Sequence, residues 1–324
     1  MKVLLYRLHQ WTTASAFLAA SLACSADSFF QLGLWAPDLQ LVNHERSVSG
    51  IRFDLGYGRN AGMQGFDFGL GNHTTGDGAG LQWGLVDLTG GDFGGLQWGV
   101  YADTGRDLAG WQSGLVAVTD GSLAGIQGGF VATTGKDLAG VQGSLPGYAF
   151  TGGDLAGWQS GLIARTDGSQ SGFQLSVVGL TRDNFRGAQL GLGYASTGET
   201  LEGTQIGLVA QASKTEDMAF TGSLHGVQFG AVSVTDFQLQ GAQFGFIYAV
   251  ADESMDGLQL GAVTQAGDTE GVQFGLLNLA RKARGLQFGL VNIAQEMQGV
   301  QIGLGNIIRS KERFSGLPLL NWQF

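Results

Sequence analysis

Ser223 and His225 stand two residues apart in the one long insertion of this chain, residues 213–225. A hydroxyl beside an imidazole is the start of nucleophilic acyl-transfer chemistry, and residues two apart on a strand share a face. Nothing identifies the third group that would orient the imidazole, so a polar loop with an exposed histidine accounts for the pair far better. The remaining histidines, His9, His44 and His73, stand apart, and there is a single cysteine, Cys24. No spacing of His, Cys or carboxylates suits a metal. Gly56-Tyr57-Gly58 and Gly69-Leu70-Gly71 look like phosphate-cradling turns, but no helix follows either of them. Neither an enzymatic activity nor a cofactor is expected. The tryptophans Trp83, Trp98, Trp111 and Trp158 could stack on sugars, although lipid-facing aromatics explain them better.

What recurs is an amide. Gly-x-Gln recurs at a nearly constant step in sixteen copies, with glutamines at Gln64, Gln82, Gln97, Gln112, Gln127, Gln142, Gln159, Gln174, Gln189, Gln205, Gln228, Gln243, Gln259, Gln273, Gln287 and Gln301. Twelve of the fifteen intervals are 14, 15 or 16 residues, and the others are 18, 17 and 23. Such a period means one structural unit copied along the chain. With Gln as position zero, positions −1, +1 and +3 are mostly large and apolar, as in Leu96, Trp98, Val100 and in Leu286, Phe288, Leu290. Positions +5 and +7 are small. The opposite parity carries Gly at −2, Gln at 0 and, in thirteen copies, Gly at +2.

Alternation over about ten residues reads as one β-strand with a greasy face and a small, amide-bearing face. Thr119-Asp120-Gly121-Ser122 and Thr134-Gly135-Lys136-Asp137 read as tight turns between strands. Ten residues extend roughly 33 Å, and the five that remain span at most ~17 Å. On that reckoning the chain turns back each time, as an antiparallel up-and-down meander. About 16–18 such strands would close into a transmembrane β-barrel, because open twisted sheets rarely exceed ~10 strands. The alternative is a parallel β-solenoid with 14–16-residue coils, in which the glutamines stack as a ladder. That fold requires the alternation to break at a corner near +3 or +4.

The bounds agree with export. Residues 1–26 carry Lys2 and Arg7, then an apolar stretch from Trp11 to Ala23, then Cys24-Ser25-Ala26, the pattern of a signal peptide. Cys24 also admits lipidation after cleavage at Ala23. Residues 27–61 then form N-terminal strands, 62–308 the sixteen-copy array, and 309–324 a closing strand. Phe324, Trp322 and Leu320 share a parity at the terminus, which resembles the C-terminal signature of bacterial outer-membrane barrels. Pro318 sits awkwardly in that strand because it donates no hydrogen bond. The net charge of −10 argues against nucleic acid. The expected partners are the outer-membrane lipid bilayer and its assembly machinery, with small neutral solutes passing a Gly-Gln-Gly lined interior if the barrel is a pore.

The copies resemble a family of bacterial surface repeat-containing proteins whose units read Gly-Leu-Gln-x-Gly-Leu-x-Asn. Gly271-Val272-Gln273-Phe274-Gly275-Leu276-Leu277-Asn278 and Gly285-Leu286-Gln287-Phe288-Gly289-Leu290-Val291-Asn292 carry the likeness best. Residues 30–37 and 317–321 look like that family's first and last segments. The resemblance implies an exported cell-surface protein and implies no reaction. In the middle copies Ala117, Ala132 and Ser233 replace the Asn, so a role for that Asn does not extend to them.

Overall fold

The computed structural model describes residues 28–213 and 222–324. The signal segment with Cys24 lies outside them, as do residues 214–221 of the long insertion. The chain divides into two compact units, Met1–Leu162 and Ile163–Phe324, each described here by itself. Both are stacks of parallel coils, so the fold is an all-β solenoid and the antiparallel barrel is overturned.

In the first unit one coil runs through the strand Leu108–Ser113, a corner at 114–115, the strand Val116–Thr119, and a corner at 120–122. The next coil repeats it in parallel register, with Gln112 beside Gln127 and Ala117 beside Ala132. Strands of six and four residues extend only about 20 and 13 Å. The backbone therefore comes home within fifteen residues. The expected ten-residue strand fails because the alternation does break, at the Gly in position +2. Before that corner even positions face inward, and after it odd ones do: Leu108, Gln112, Ala117 and Thr119 are all buried. Large residues at −1 and +3 face out, while the small ones at +5 and +7 face into a narrow interior.

A second bend falls at position −2. Seventeen glycines there have positive φ, from Gly50 (149°) to Gly299 (145°). A Cβ on Gly125 would lie 1.9 Å from the carbonyl oxygen of Gly110 in the preceding coil. Only glycine combines that backbone with that approach.

The second unit is built likewise, with longer strands that wrap through the corner. Phe185–Thr197 pairs in parallel with Thr200–Ala212, and the register slips between Gly191 and Tyr194, where the chain turns. The terminal strand Gly316–Gln323 is antiparallel to Val291–Ile308 and covers the last coil. Pro318 falls where the pairing skips, between Leu317 and Leu319, so its missing N–H costs no ladder bond.

Candidate functional site

The interior of each unit is filled by side chains, which removes the expected lumen and the solute pathway through it. In the first unit Gln97, Gln112, Gln127, Gln142 and Gln159 each donate through Nε2 to the Oε1 of the preceding glutamine, at 2.8–2.9 Å. In the second unit the same bond runs from Gln189 to Gln174 at 2.7 Å and on through Gln205, Gln228, Gln243, Gln259, Gln273, Gln287 and Gln301. Threonines at +7 donate to the same carbonyls, as Thr119 does to Gln112 at 3.1 Å. A buried amide so paired avoids the desolvation cost of an orphan.

Gln64 is the exception among the sixteen. It is half-buried beside Ser49 and Ala79, and the inward residue of its coil is Asp67, in register with Gln82. Gly65, not Gly62, is the positive-φ glycine of that coil. The interval of 18 residues thus becomes 15, and the array begins earlier than residue 62, because Gly50-Ile51-Arg52 is a coil of the same kind.

A second ladder occupies +5 at particular coils. Asn278 donates to Asn292 and Asn292 to Asn306, both at 2.7 Å, and each also reaches a backbone carbonyl at 2.9 Å. This accounts physically for the Asn of the best-fitting copies. Ala117 and Ala132 fill the same position without a rung.

The amides are therefore structural, and the surface is where a partner could meet the chain. In every copy from Gln82 to Gln301, positions +1 to +4 contain no Asp, Glu, Lys, Arg or His, although the chain has 44 Lys, Arg, Asp and Glu residues (17 basic and 27 acidic). In each unit that strip wraps the +2 corner, with the +3 side chains and the aromatic +1 side chains outward and the serines at +2, Ser144 and Ser176, buried. In the second unit it forms a trough of about 830 Å³, floored by glycines such as Gly245, Gly261 and Gly275. One wall is the +1 row, where Phe229 stacks on Phe244 (centroids 4.6 Å apart) and Phe274 on Phe288 (5.0 Å). The other is the +3 row, including Phe246, which is 87% exposed, and Leu304, 68% exposed. Six steps between the seven coils that line it make it about 30 Å long. In the first unit the strip carries exposed Trp83 and Trp98, stacked with centroids 6.1 Å apart, and Leu115 and Phe130. Trp111 and Trp158, at −1, are also exposed.

The other residues singled out from the sequence do not converge on this strip. Ser223 is half-buried and His225 exposed, on the outer side of a strand that is paired on both edges, away from the inward glutamines. His73 is half-buried, with Nδ1 2.6 Å from the Tyr57 hydroxyl, and burial holds its pKa below the usual value. Phe324, Trp322 and Leu320 are exposed on the terminal strand, while Asn321 between them is buried. Among the described residues no group of three or more His, Cys, Asp or Glu is placed to hold a metal. Comparison with family models, with curated proteins and with solved structures finds no match in any of the three.

Proposed function

We propose that this protein is an exported, non-enzymatic surface β-solenoid, a rigid binding scaffold whose working face is the charge-free apolar strip and whose partner is a lipid surface. The observation that carries this reading is the strip itself. Contiguous exposed apolar patches beyond a few hundred Å² mark membrane or partner contact. A protein interface of ordinary size supplies about ten direct hydrogen bonds. This trough offers almost no side-chain polar group, which suits acyl chains better than a peptide surface. The exposed tryptophans and phenylalanines are the residues favoured where lipid meets water. Neither strip nor trough carries a cation, and the chain is net −10. The favoured surface is therefore zwitterionic, and the binding insensitive to salt. The signal-like first 26 residues and the likeness to bacterial surface repeat proteins support export.

Flotation of the mature chain with phosphatidylcholine vesicles tests the reading. Co-flotation that persists at high salt is the expected result. A chain that stays in the aqueous fraction, or that pairs with itself through this face in light scattering, removes lipid as the partner.

A further inference from the structure

The first three coils of the array depart from the amide pattern in one respect: charged residues occupy the interior. Arg52 and Asp67 take the glutamine position in successive coils, and both are buried. Arg52 donates to Asp67 through Nε at 2.7 Å and through a terminal nitrogen at 2.5 Å. Its guanidinium also reaches the His73 carbonyl oxygen at 3.1 Å and Thr74 Oγ1 at 3.3 Å.

Beside this pair runs a second column. Gly58 is in register with Asn72, and Asn72 with Asp87. Gly58 has no side chain, and the space is taken by the carboxyl group of Asp54, onto which a Cβ at Gly58 would fall. The column therefore reads Asp54, Asn72, Asp87, all buried. Asn72 Nδ2 is turned to Asp87 Oδ1 at 2.7 Å and to the Trp83 carbonyl oxygen at 3.1 Å. Among the described residues Asn72 Oδ1 has no partner and neither oxygen of Asp54 has one in good geometry, although the Gln31 side chain of the Ser28–Trp35 strand lies close enough to favour the ionised carboxylate. The nearest cation to Asp54 is Arg52 Nε, 3.6 Å away and engaged by Asp67.

One guanidinium thus faces three carboxylates in a sealed interior, an excess of two negative charges. Burying an unpaired carboxylate is costly, and such groups neutralise instead. A metal ion would have to share the space with Arg52, whereas a proton adds no volume. It also turns one Asp54 oxygen into a donor, in a column where Asn72 Oδ1 has none.

We propose that the N-terminal coils are closed by a proton latch, in which Asp54 takes up a proton to complete the buried column and Asp87, whose oxygens already accept from Asn72 and from the Gly84 N–H, takes one up to shed its buried charge. Burial pushes Asp54 up to about 6 and Asp87 up to about 7. The other charged groups facing the column are Asp67 and Arg52, with Arg59 and the half-buried His73 beyond them. The Ser28–Trp35 strand on the other side contributes no charge. Both carboxyls are raised, so their stabilising contribution is complete below the ordinary Asp range. It is lost as pH rises through about 6 to 7.

Hydrogen exchange of the full mature chain at pH 5 and pH 8, corrected for intrinsic rates, tests the latch, with the second unit as internal reference. Protection in residues 28–104 is expected to fall tenfold or more at pH 8, while residues 163–324 hold theirs. The double variant Asp54→Asn with Asp87→Asn is expected to show no such fall, and Asp87→Asn alone a smaller one should the double variant not fold. Equal protection of the wild type at both pH values overturns the latch, as does a fall that survives in the variants. Protection restored at pH 8 by sodium or calcium would make the occupant a metal ion and overturn it too.

Discussion

Asn72 donates to Asp87 across adjacent coils at 2.7 Å, the distance at which Asn278 donates to Asn292. The two contacts occupy the same position of the coil, and in both the donor amide also reaches the +1 carbonyl of the next coil. One ends on a carboxyl group and the other on an amide. Asp87→Asn should therefore rebuild the asparagine rung in the first unit. A neutral side chain needs no proton, so the gain should be largest at pH 8, about 1–3 kcal/mol, and vanish toward pH 4. Thermal melts across that range measure it.

Gln127 accepts from Gln142 and Thr134 and donates to Gln112 and two carbonyls. Gln127→Leu keeps the volume and strips all of these bonds. The expected loss is about 2–4 kcal/mol, since several buried groups lose a partner at once. Thr119→Val removes one donor, whose only side-chain acceptor is Gln112, and should cost about 1 kcal/mol. Denaturant unfolding of both variants ranks them.

Gly125→Ala should be worse than either of those changes for its size. Its backbone stands at φ 144°, and the new methyl would meet the Gly110 carbonyl oxygen of the coil below. About 3 kcal/mol or more is expected, because backbone strain and steric overlap add. Gly128→Ala, three residues on, has no atom nearer than 3.8 Å and should be tolerated. Circular dichroism melts of the pair separate corner geometry from a general intolerance of side chains.

Phe246→Ser with Leu304→Ser removes two exposed apolar groups from the +3 wall without touching the interior. Stability should change by less than ~0.5 kcal/mol per site, as for exposed positions generally. Vesicle flotation should drop severalfold. Unchanged flotation in a folded variant would place the lipid contact away from this trough.

The repeat, its inward glutamines and the all-β class were legible in the residues, because stacked identical coils demand the same residue at the same place. The direction of successive strands was misread. Leu115 and Ala117 share a parity, and large followed by small was taken as variation along one face. It is the turn from an outer surface to an interior only a few side chains wide. The bend at +2 needs no proline or acidic turn, only a glycine, and glycine was already abundant at other phases. Gln64 was drawn into the array by its Gly-x-Gln spelling, whereas the rung of that coil is spelled Gly65-Phe66-Asp67. Steps of fifteen residues back from Gln82 land on Asp67 and then Arg52, but neither is a glutamine and the Gly-x-Gln spelling passes over both; Asp87 stands at +5, where its meaning depends on the coils it joins. The charge-free strip was there to be seen, once positions were compared down the copies and not along each one.

Each glutamine answers only to the rung before it and the rung after. A barrel fixes its strand number through closure; this ladder imposes no such arithmetic, and 14-, 15- and 16-residue steps coexist within it. Reach and cross-section are consequently independent quantities. Within either unit, duplication or loss of one whole repeat would shift that unit's far end by a single strand spacing, about 4.8 Å, and leave its other rungs in place. Each unit is a ruler whose graduations could be added or removed without recutting its profile.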